Sequence, residues 1–252
     1  MSEITIYDTE TTGLSTKTDY ILELAAITYD TELRQPVNIY SSLVLWPSRP
    51  EIPHEASNIH HITQEMLDKH AKPFDEVAGH VLRMSENSEF MAGHNVIDYD
   101  SKIFESNLCR LHDGDHLIQK YYGLKYLDTM IDLPYPERIK TRTLTYLAFE
   151  HGYMVKDAHR ALPDVQACMH LISCYDYGLI REIASTEIVN IEAKVSFSQK
   201  DLAKTQGFKW NGETKQWIKS IREYWYNDQL KQFRFDTEIM NTSPKQQGEL
   251  PF

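Results

Sequence analysis

Apolar and polar positions along the first third of the chain fall into short runs bounded by turn-forming residues, the pattern of strands. ITIYD (4–8) predicts a short buried strand that ends in a carboxylate and runs into the turn-prone TETTG. YILELAAITYD (20–30) and VNIYSSLVLW (37–46) predict two more, joined by a polar turn near Arg34–Pro36, and PSRPEIPHEAS (47–57) follows as a loop. From there the apolar spacing shifts toward the helical period. QEMLDKH (64–70) predicts a short helix, and a second begins after Pro73 with Phe74, Val77, Ala78, Val81 and Leu82 on one face. EFMAGH (89–94) reads as a strand, 100–112 as a helix through Ile103, Phe104, Leu108 and Leu111, and KYLDTM (125–130) as a fifth strand. Two helices close the region: 141–152 with Gly152 as its stop, and 163–178 with Pro163 at its start and Gly178 at its end. Three strands followed by helices alternating with strands predict an α/β sheet.

The pattern changes after residue 186. IVNIEAKVSF (188–197) is strand-like, SQKDLAKTQGF (198–208) is a short helix with a glycine stop, and KWNGETKQWIKS (209–220) is a hairpin with Asn211-Gly212 at its turn. The domain organisation expected is a body over 1–182, a small α+β module over 187–240 and a polar, flexible tail over 241–252. Charge follows the same division. Residues 1–186 carry 16 Lys and Arg against 28 Asp and Glu, 187–252 carry 10 against 9, and 194–222 carry seven cations against two acids. An acidic body of this kind grips a polyanion only where its acids hold divalent metal. The 252-residue chain has 41% apolar and 25% charged residues, an ordinary globular composition. The absence of a membrane-length apolar run or a signal-like start gives the expectation of a cytoplasmic protein without a membrane. Its three cysteines, Cys109, Cys168 and Cys174, have no metal-binding spacing and are expected as free thiols, those within apolar helical pattern being buried.

Three segments carry candidate chemistry. Asp8 and Glu10 are two apart on a strand, which places both carboxylates on one face, where they repel unless cations sit between them. In GHNVIDYDSKIF (93–104) either Asp98 or Asp100 sits at the C-terminal end of a strand, a common ligand position in open α/β sheets, and either also serves as a helix cap. In AHRALPDVQA (158–167) Pro163 marks a first helical turn, so His159 lies on the approach loop and Asp164 in that turn. Taken singly, each is equally a solvated strand end, a cap or a surface pair.

In this order and spacing, DTETTGL, HN followed by an Asp, and H-x4-D resemble the three motifs of the DEDDh branch of the DnaQ-like exonucleases. IHHITQEMLDKHAKPFDEV (59–77) and YLDTMIDL (126–133) resemble further segments of that family, and the resemblance covers roughly residues 4–178. It implies a ribonuclease H-like mixed five-stranded sheet flanked by helices and a 3′→5′ exodeoxyribonuclease. The alternatives are an exoribonuclease of the same family and a non-catalytic recruitment module. Tyr99-Asp100 matches the pattern with an aromatic before the Asp, so the resemblance selects Asp100 over Asp98. It further implies that Asp8, Glu10, Asp100 and Asp164 hold two Mg²⁺ or Mn²⁺ ions and that His159 is the general base. Thr11, Gly13, Leu14, His61 and Asn95 would contact the terminal nucleotide. Two such ions, roughly 3.5–4 Å apart, suit in-line phosphodiester hydrolysis, and oxygen ligands favour them over zinc.

Two readings attach to the module. Phe197, Trp210 and Trp217 would form the core of a unit too small to have another, while Lys200, Lys204, Lys209, Trp210, Lys215 and Trp217 would contact DNA. The tail ends in QGELPF (247–252), which resembles the sliding-clamp-binding peptide of bacterial replication proteins. Gln247, Leu250 and Phe252 would be its anchors; a chance match and mimicry of a single-strand-binding protein tail are the other readings.

Overall fold

The computed structural model describes residues 2–139, 141–230 and 233–240, which form two compact units meeting at Ile180 and Arg181. In the larger unit, β1 (Glu3–Thr11), β2 (Ile21–Asp30) and β3 (Gln35–Leu45) make an antiparallel meander. Then come α1 (His54–His60), α2 (Gln64–His70), β4 (Lys72–Pro73), α3 (Phe74–Met84), β5 (Ser88–Gly93), α4 (Asp100–Leu108), α5 (Asp115–Tyr122), β6 (Tyr126–Asp128), α6 (Leu144–Glu150) and α7 (Ala161–Ser173), and the division between the units falls within α8 (Tyr177–Ala184). β5 and β6 run parallel to β1, giving a mixed sheet of order β4-β3-β2-β1-β5-β6. It has six strands rather than five. The extra one is a two-residue edge pairing of Lys72 and Pro73 with Val44 and Leu45, too short to leave a periodic trace.

Register sorts the side chains of β1 between two layers. Tyr7, with Leu24 and Ala26 of β2, faces a core of Trp46, Phe74, Val81 and Phe104. The Phe74 ring stacks on Trp46 at 4.5 Å, and the Trp46 indole N–H donates to the Ile21 carbonyl at 2.8 Å. Ile4, Ile6, Asp8 and Glu10 face the opposite side with Ile27, Ala25 and Glu23 of β2. α7 packs on β1 and β2 through Ala161, Val165, Cys168 and Leu171.

Several expected elements differ. The segment read as a loop over 47–57 contains the start of α1, which opens at Pro53 and has too few apolar residues to show a period. α5 has no counterpart in the sequence reading and is held by Leu117 and Tyr121, one turn apart. Gly178 does not end a helix. α7 stops at Ser173, and Asp176 starts α8 by accepting the Leu179 N–H at 2.9 Å. Among the cysteines, Cys168 is buried, while Cys109 and Cys174 are exposed at helix ends. No helix among the described residues is long and apolar enough to cross a membrane.

The smaller unit contains β7 (Ile188–Ala193), a 3-10 turn (Phe197–Gln199), α9 (Lys200–Thr205), β8 (Lys209–Asn211), β9 (Gln216–Arg222), α10 (Glu223–Leu230) and β10 (Thr237–Ile239), with sheet order β10-β7-β9-β8. Asn211-Gly212 is not a two-residue turn. Asn211 closes the β8–β9 pairing with Gln216, and its side chain accepts the N–H groups of Glu213 and Thr214 in a longer loop. The core is Ile191, Ala193, Ala203, Phe208 and Ile221, with Trp217 partly buried against it. Phe197 and Trp210 are therefore not core residues; they are 85% and 53% exposed. Phe208 fills the interior because the backbone after α9 turns at Gly207 (φ 83°) and bonds Phe208 N–H to the Ala203 carbonyl.

Candidate active site

β5 pairs with β1 only as far as Ile6, whereas β1 continues to Thr11 beside β2. Asp8 and Glu10 project from this overhang, at the C-terminal ends of the parallel strands. Asp164, in the first turn of α7, comes down on the same face. One oxygen from each of these three carboxylates lies within 4.8 Å of the others. Asp100 reaches the cluster from the first residue of α4; it is 4% exposed, and the Thr9 hydroxyl donates to its Oδ1 at 2.6 Å. Asp98 instead is exposed and ion-paired with Lys102, one helical turn on, at 3.3 Å.

Burial is the main cause that holds these carboxyls above their ordinary range, and repulsion within the cluster adds to it at Asp8 and Glu10. Asp8 is raised well above it by burial and by Asp100, Asp164 and Glu10. Glu10 is pushed up to about 8 by burial, Asp164 and Glu23, and Asp164 to about 6, chiefly by burial. Asp100 is raised to about 7 by burial, against the Thr9 hydrogen bond that lowers it. Three convergent carboxylates, with Asp100 near enough to Asp8 to raise its pKa, are hard oxygen donors that a divalent cation would discharge, so the residues fit Mg²⁺ or Mn²⁺.

The His159 backbone is left-handed (φ 66°), its ring is exposed, and its N–H donates to Asp164 Oδ2 at 3.2 Å. The imidazole thus stands at the rim of the acidic cluster. Thr11 is buried, and Leu14 beside it is 90% exposed, an apolar side chain presented to solvent at the mouth of the site. The Thr11 and Tyr99 hydroxyls lie 2.7 Å apart and each lies 2.7 Å from the Gly13 carbonyl, so one donates to the carbonyl and the other to its neighbour. A Cβ at Gly13 would meet Asp19 Oδ2 at 2.7 Å, so a larger residue there would have to push that carboxylate off the Ser15 N–H and the Thr12 hydroxyl. Asn95, in the left-handed region (φ 61°), donates its N–H to Asp128 Oδ1 at 2.8 Å. Asp128 also accepts from Ile97 and Met130, which makes it a loop cap. His61 is exposed at the end of α1. Its neighbour His60 is the buried ring, held below the usual imidazole range chiefly by that burial and close enough to Glu23 and Arg160 to feel both charges.

Glu23, opposite Glu10 on β2, escaped the sequence reading. Its buried carboxylate accepts Arg160 Nε at 2.9 Å, Arg160 Nη2 at 2.6 Å and the Ala161 N–H at 3.0 Å. This forked clamp fixes the residue after His159 and the first residue of α7. A signal was present: Glu23 is the one charge between Tyr20 and Tyr29 in an apolar run, and a buried charge needs a partner.

Residues 5–172 match a protein-family model of the RNase T type, described as exonuclease. The epsilon subunit of DNA polymerase III from Treponema pallidum is 31% identical over 169 residues, covering 67% of this chain and 74% of that protein. A structure of exonuclease I superposes with a TM-score of 0.66 at 13% identity, over 94% of this chain and 68% of that one. Escherichia coli exonuclease I in complex with an oligo(dA) superposes with a TM-score of 0.60 at 16% identity, over 81% and 50%. These two likenesses confirm the fold: a mixed α/β sheet flanked by helices, of the ribonuclease H-like kind.

Proposed function

This chain belongs to the RNase T-type exonuclease family, and from that premise we propose that it removes nucleotides from DNA 3′ ends, with Asp8, Glu10, Asp100 and Asp164 as its metal-holding set. The observation that carries the reading is the convergence of Asp8, Glu10 and Asp164 within 4.8 Å at the open end of β1, with Asp100 buried beside Thr9. Two Mg²⁺ or Mn²⁺ ions, when bound, would supply positive charge for the attacking and leaving oxygens. His159, exposed at the rim, is free to approach the attacking water and take its proton as general base. Leu14 offers an apolar face to the terminal base, and Thr11 and Gly13, fastened by Tyr99, form the floor of the turn beneath it. Asn95 and His61 extend the substrate contact in this reading. The relative in Treponema pallidum is a polymerase subunit, and the exonuclease I complex holds an oligodeoxynucleotide; both favour DNA as substrate here.

The test is digestion of 5′- and 3′-labelled DNA and RNA strands with Mg²⁺ or with EDTA. A ladder of shortened 5′-labelled DNA and release of mononucleotide from 3′-labelled DNA, both abolished by EDTA, are expected; faster RNA digestion would replace the substrate assignment.

Gln247, Leu250 and Phe252 lie outside the described residues, and the clamp peptide rests on sequence alone. Deleting 247–252 is expected to eliminate binding to a bacterial sliding clamp while hydrolysis of free oligonucleotides is unchanged. Equal clamp binding with and without the tail would remove this part of the proposal.

A further inference from the structure

The smaller unit sorts its charges and aromatic rings by face. On one face of its sheet, Glu192, Ile218 and Lys209 stand in register across β7, β9 and β8, with Glu238 of β10 beside them. Lys194 is engaged there by Glu192 at 2.6 Å and Glu238 at 2.8 Å. On the other face, Trp217 and its direct cross-strand partner Trp210 stand together, their ring centroids 5.6 Å apart. β8 is the edge strand, so the Trp210 indole is supported from behind by Trp217 and open on its outer side, 53% exposed. α9 packs on this same face through Ala203. The 3-10 turn that leads into it presents Phe197 at 85% exposure, with the Lys200 ammonium 4.4 Å from the ring centroid. Lys204 follows Lys200 by one helical turn. Among the described residues neither lysine has a carboxylate partner, nor does Lys215 in the β8–β9 loop.

A tryptophan backed by a second tryptophan and a nearly bare phenylalanine are costly to leave in water and are poor core elements. Exposed flat rings together with ammonium groups that no carboxylate neutralises match a polyanion that carries flat, unpaired bases. The acidic side chains of the sheet lie on the opposite face, where they do not repel it. We propose that this face of the module is a binding surface for single-stranded nucleic acid. Bases stack on Phe197 and Trp210, and phosphates pair with Lys200, Lys204 and Lys215. The structure revises the set taken from sequence: Phe197 joins it, and Lys209 leaves it because strand alternation turns it to the acid-bearing face.

The surface is independent of the catalytic reading and is measured with hydrolysis blocked by EDTA. Fluorescence anisotropy of labelled oligo(dT) with the full chain should show a loss of roughly 5- to 150-fold in affinity for Phe197→Ala or Trp210→Ala. Lys200→Gln with Lys204→Gln should lower the slope of log affinity against log salt by about 1.4. Phe197 is so exposed that its substitution cannot empty a core, and near-UV circular dichroism checks Trp210→Ala. Equal affinity and salt slope for all variants and the parent, or no binding of oligo(dT) by the parent at low salt, would overturn the proposal. If the same substitutions instead altered concentration-dependent self-association and left oligo(dT) binding intact, the face would be an interface between copies and the proposal would equally fall.

Discussion

At the residue scale, the acidic cluster is unfavourable for the fold and suited to chemistry. Asp8, Glu10 and Asp164 repel one another and are partly desolvated, so neutralising one relieves strain while removing a proposed ligand. Asp8→Asn is therefore expected to abolish exonuclease activity while raising the melting temperature in EDTA, by roughly 2–4 °C for each kcal/mol relieved. Calorimetry and a labelled-strand assay on the same preparation check both halves. Asp100→Ala is expected to abolish activity where Asp98→Ala retains it, because Asp100 is buried on Thr9 and Asp98 faces Lys102 at the surface. The opposite ranking in kcat would move the ligand to Asp98. Glu23 acts at one remove, through Arg160. Glu23→Gln keeps the shape and loses the charge that fixes the Arg160 fork, so kcat should fall by about 10- to 10²-fold with KM little changed. A fall confined to thermal stability, with kcat intact, would make the clamp purely structural.

At the element scale, the site depends on β1 outrunning β5. Past Ile6 the edge of β1 is free of β5, which leaves room for the chain after β5 to enter α4 with Asp100 beside the strand. α7 brings Asp164 over the face that carries Asp8 and Glu10. Beyond the overhang, the 11–14 turn is held in place by the Tyr99 hydroxyl from the far side of the cleft. Tyr99→Phe removes that bond and frees Leu14 and the turn. The expected result is a several-fold rise in KM for short oligonucleotides with kcat preserved; steady-state kinetics on a trinucleotide would show an unchanged KM if the bond were incidental. Strands β1, β2 and β5 and helix α3 were legible because each carries a run or a helical spacing of buried apolar residues. α1, α5 and β4 were not: α1 buries only His60, α5 only Leu117 and Tyr121, and β4 is a two-residue edge pairing, so none leaves a period of apolar positions. Asp176 capping α8 likewise overrode the glycine signal at Gly178.

At the scale of the whole molecule, the raised carboxyls couple stability to pH and metal. Their pKa values are higher folded than unfolded, so the folded protein holds more protons between the two values and loses stability as pH rises through them. With Asp164 at about 6, Asp100 at about 7 and Glu10 at about 8 against ordinary carboxyls near 4, the loss spans roughly pH 4 to 8. The melting temperature in EDTA should fall across that window, and Mg²⁺ should raise it more at pH 8 than at pH 6, because it replaces the protons. A metal effect independent of pH would contradict the shared-charge account.

The sequence by itself determined the α/β class, because alternation and helical period are local properties of the chain, and through its family resemblance it nominated Asp8, Glu10, Asp100, His159 and Asp164 as the candidate site. Only the tertiary structure decided which carboxylates meet, that Glu23 restrains Arg160, and that Phe208 rather than Phe197 or Trp210 fills the module's core. Those outcomes depend on strand register and on which side of a sheet a helix lands. A shift of one residue in strand register turns every side chain of the strand to the opposite face, and no window of local sequence records that choice.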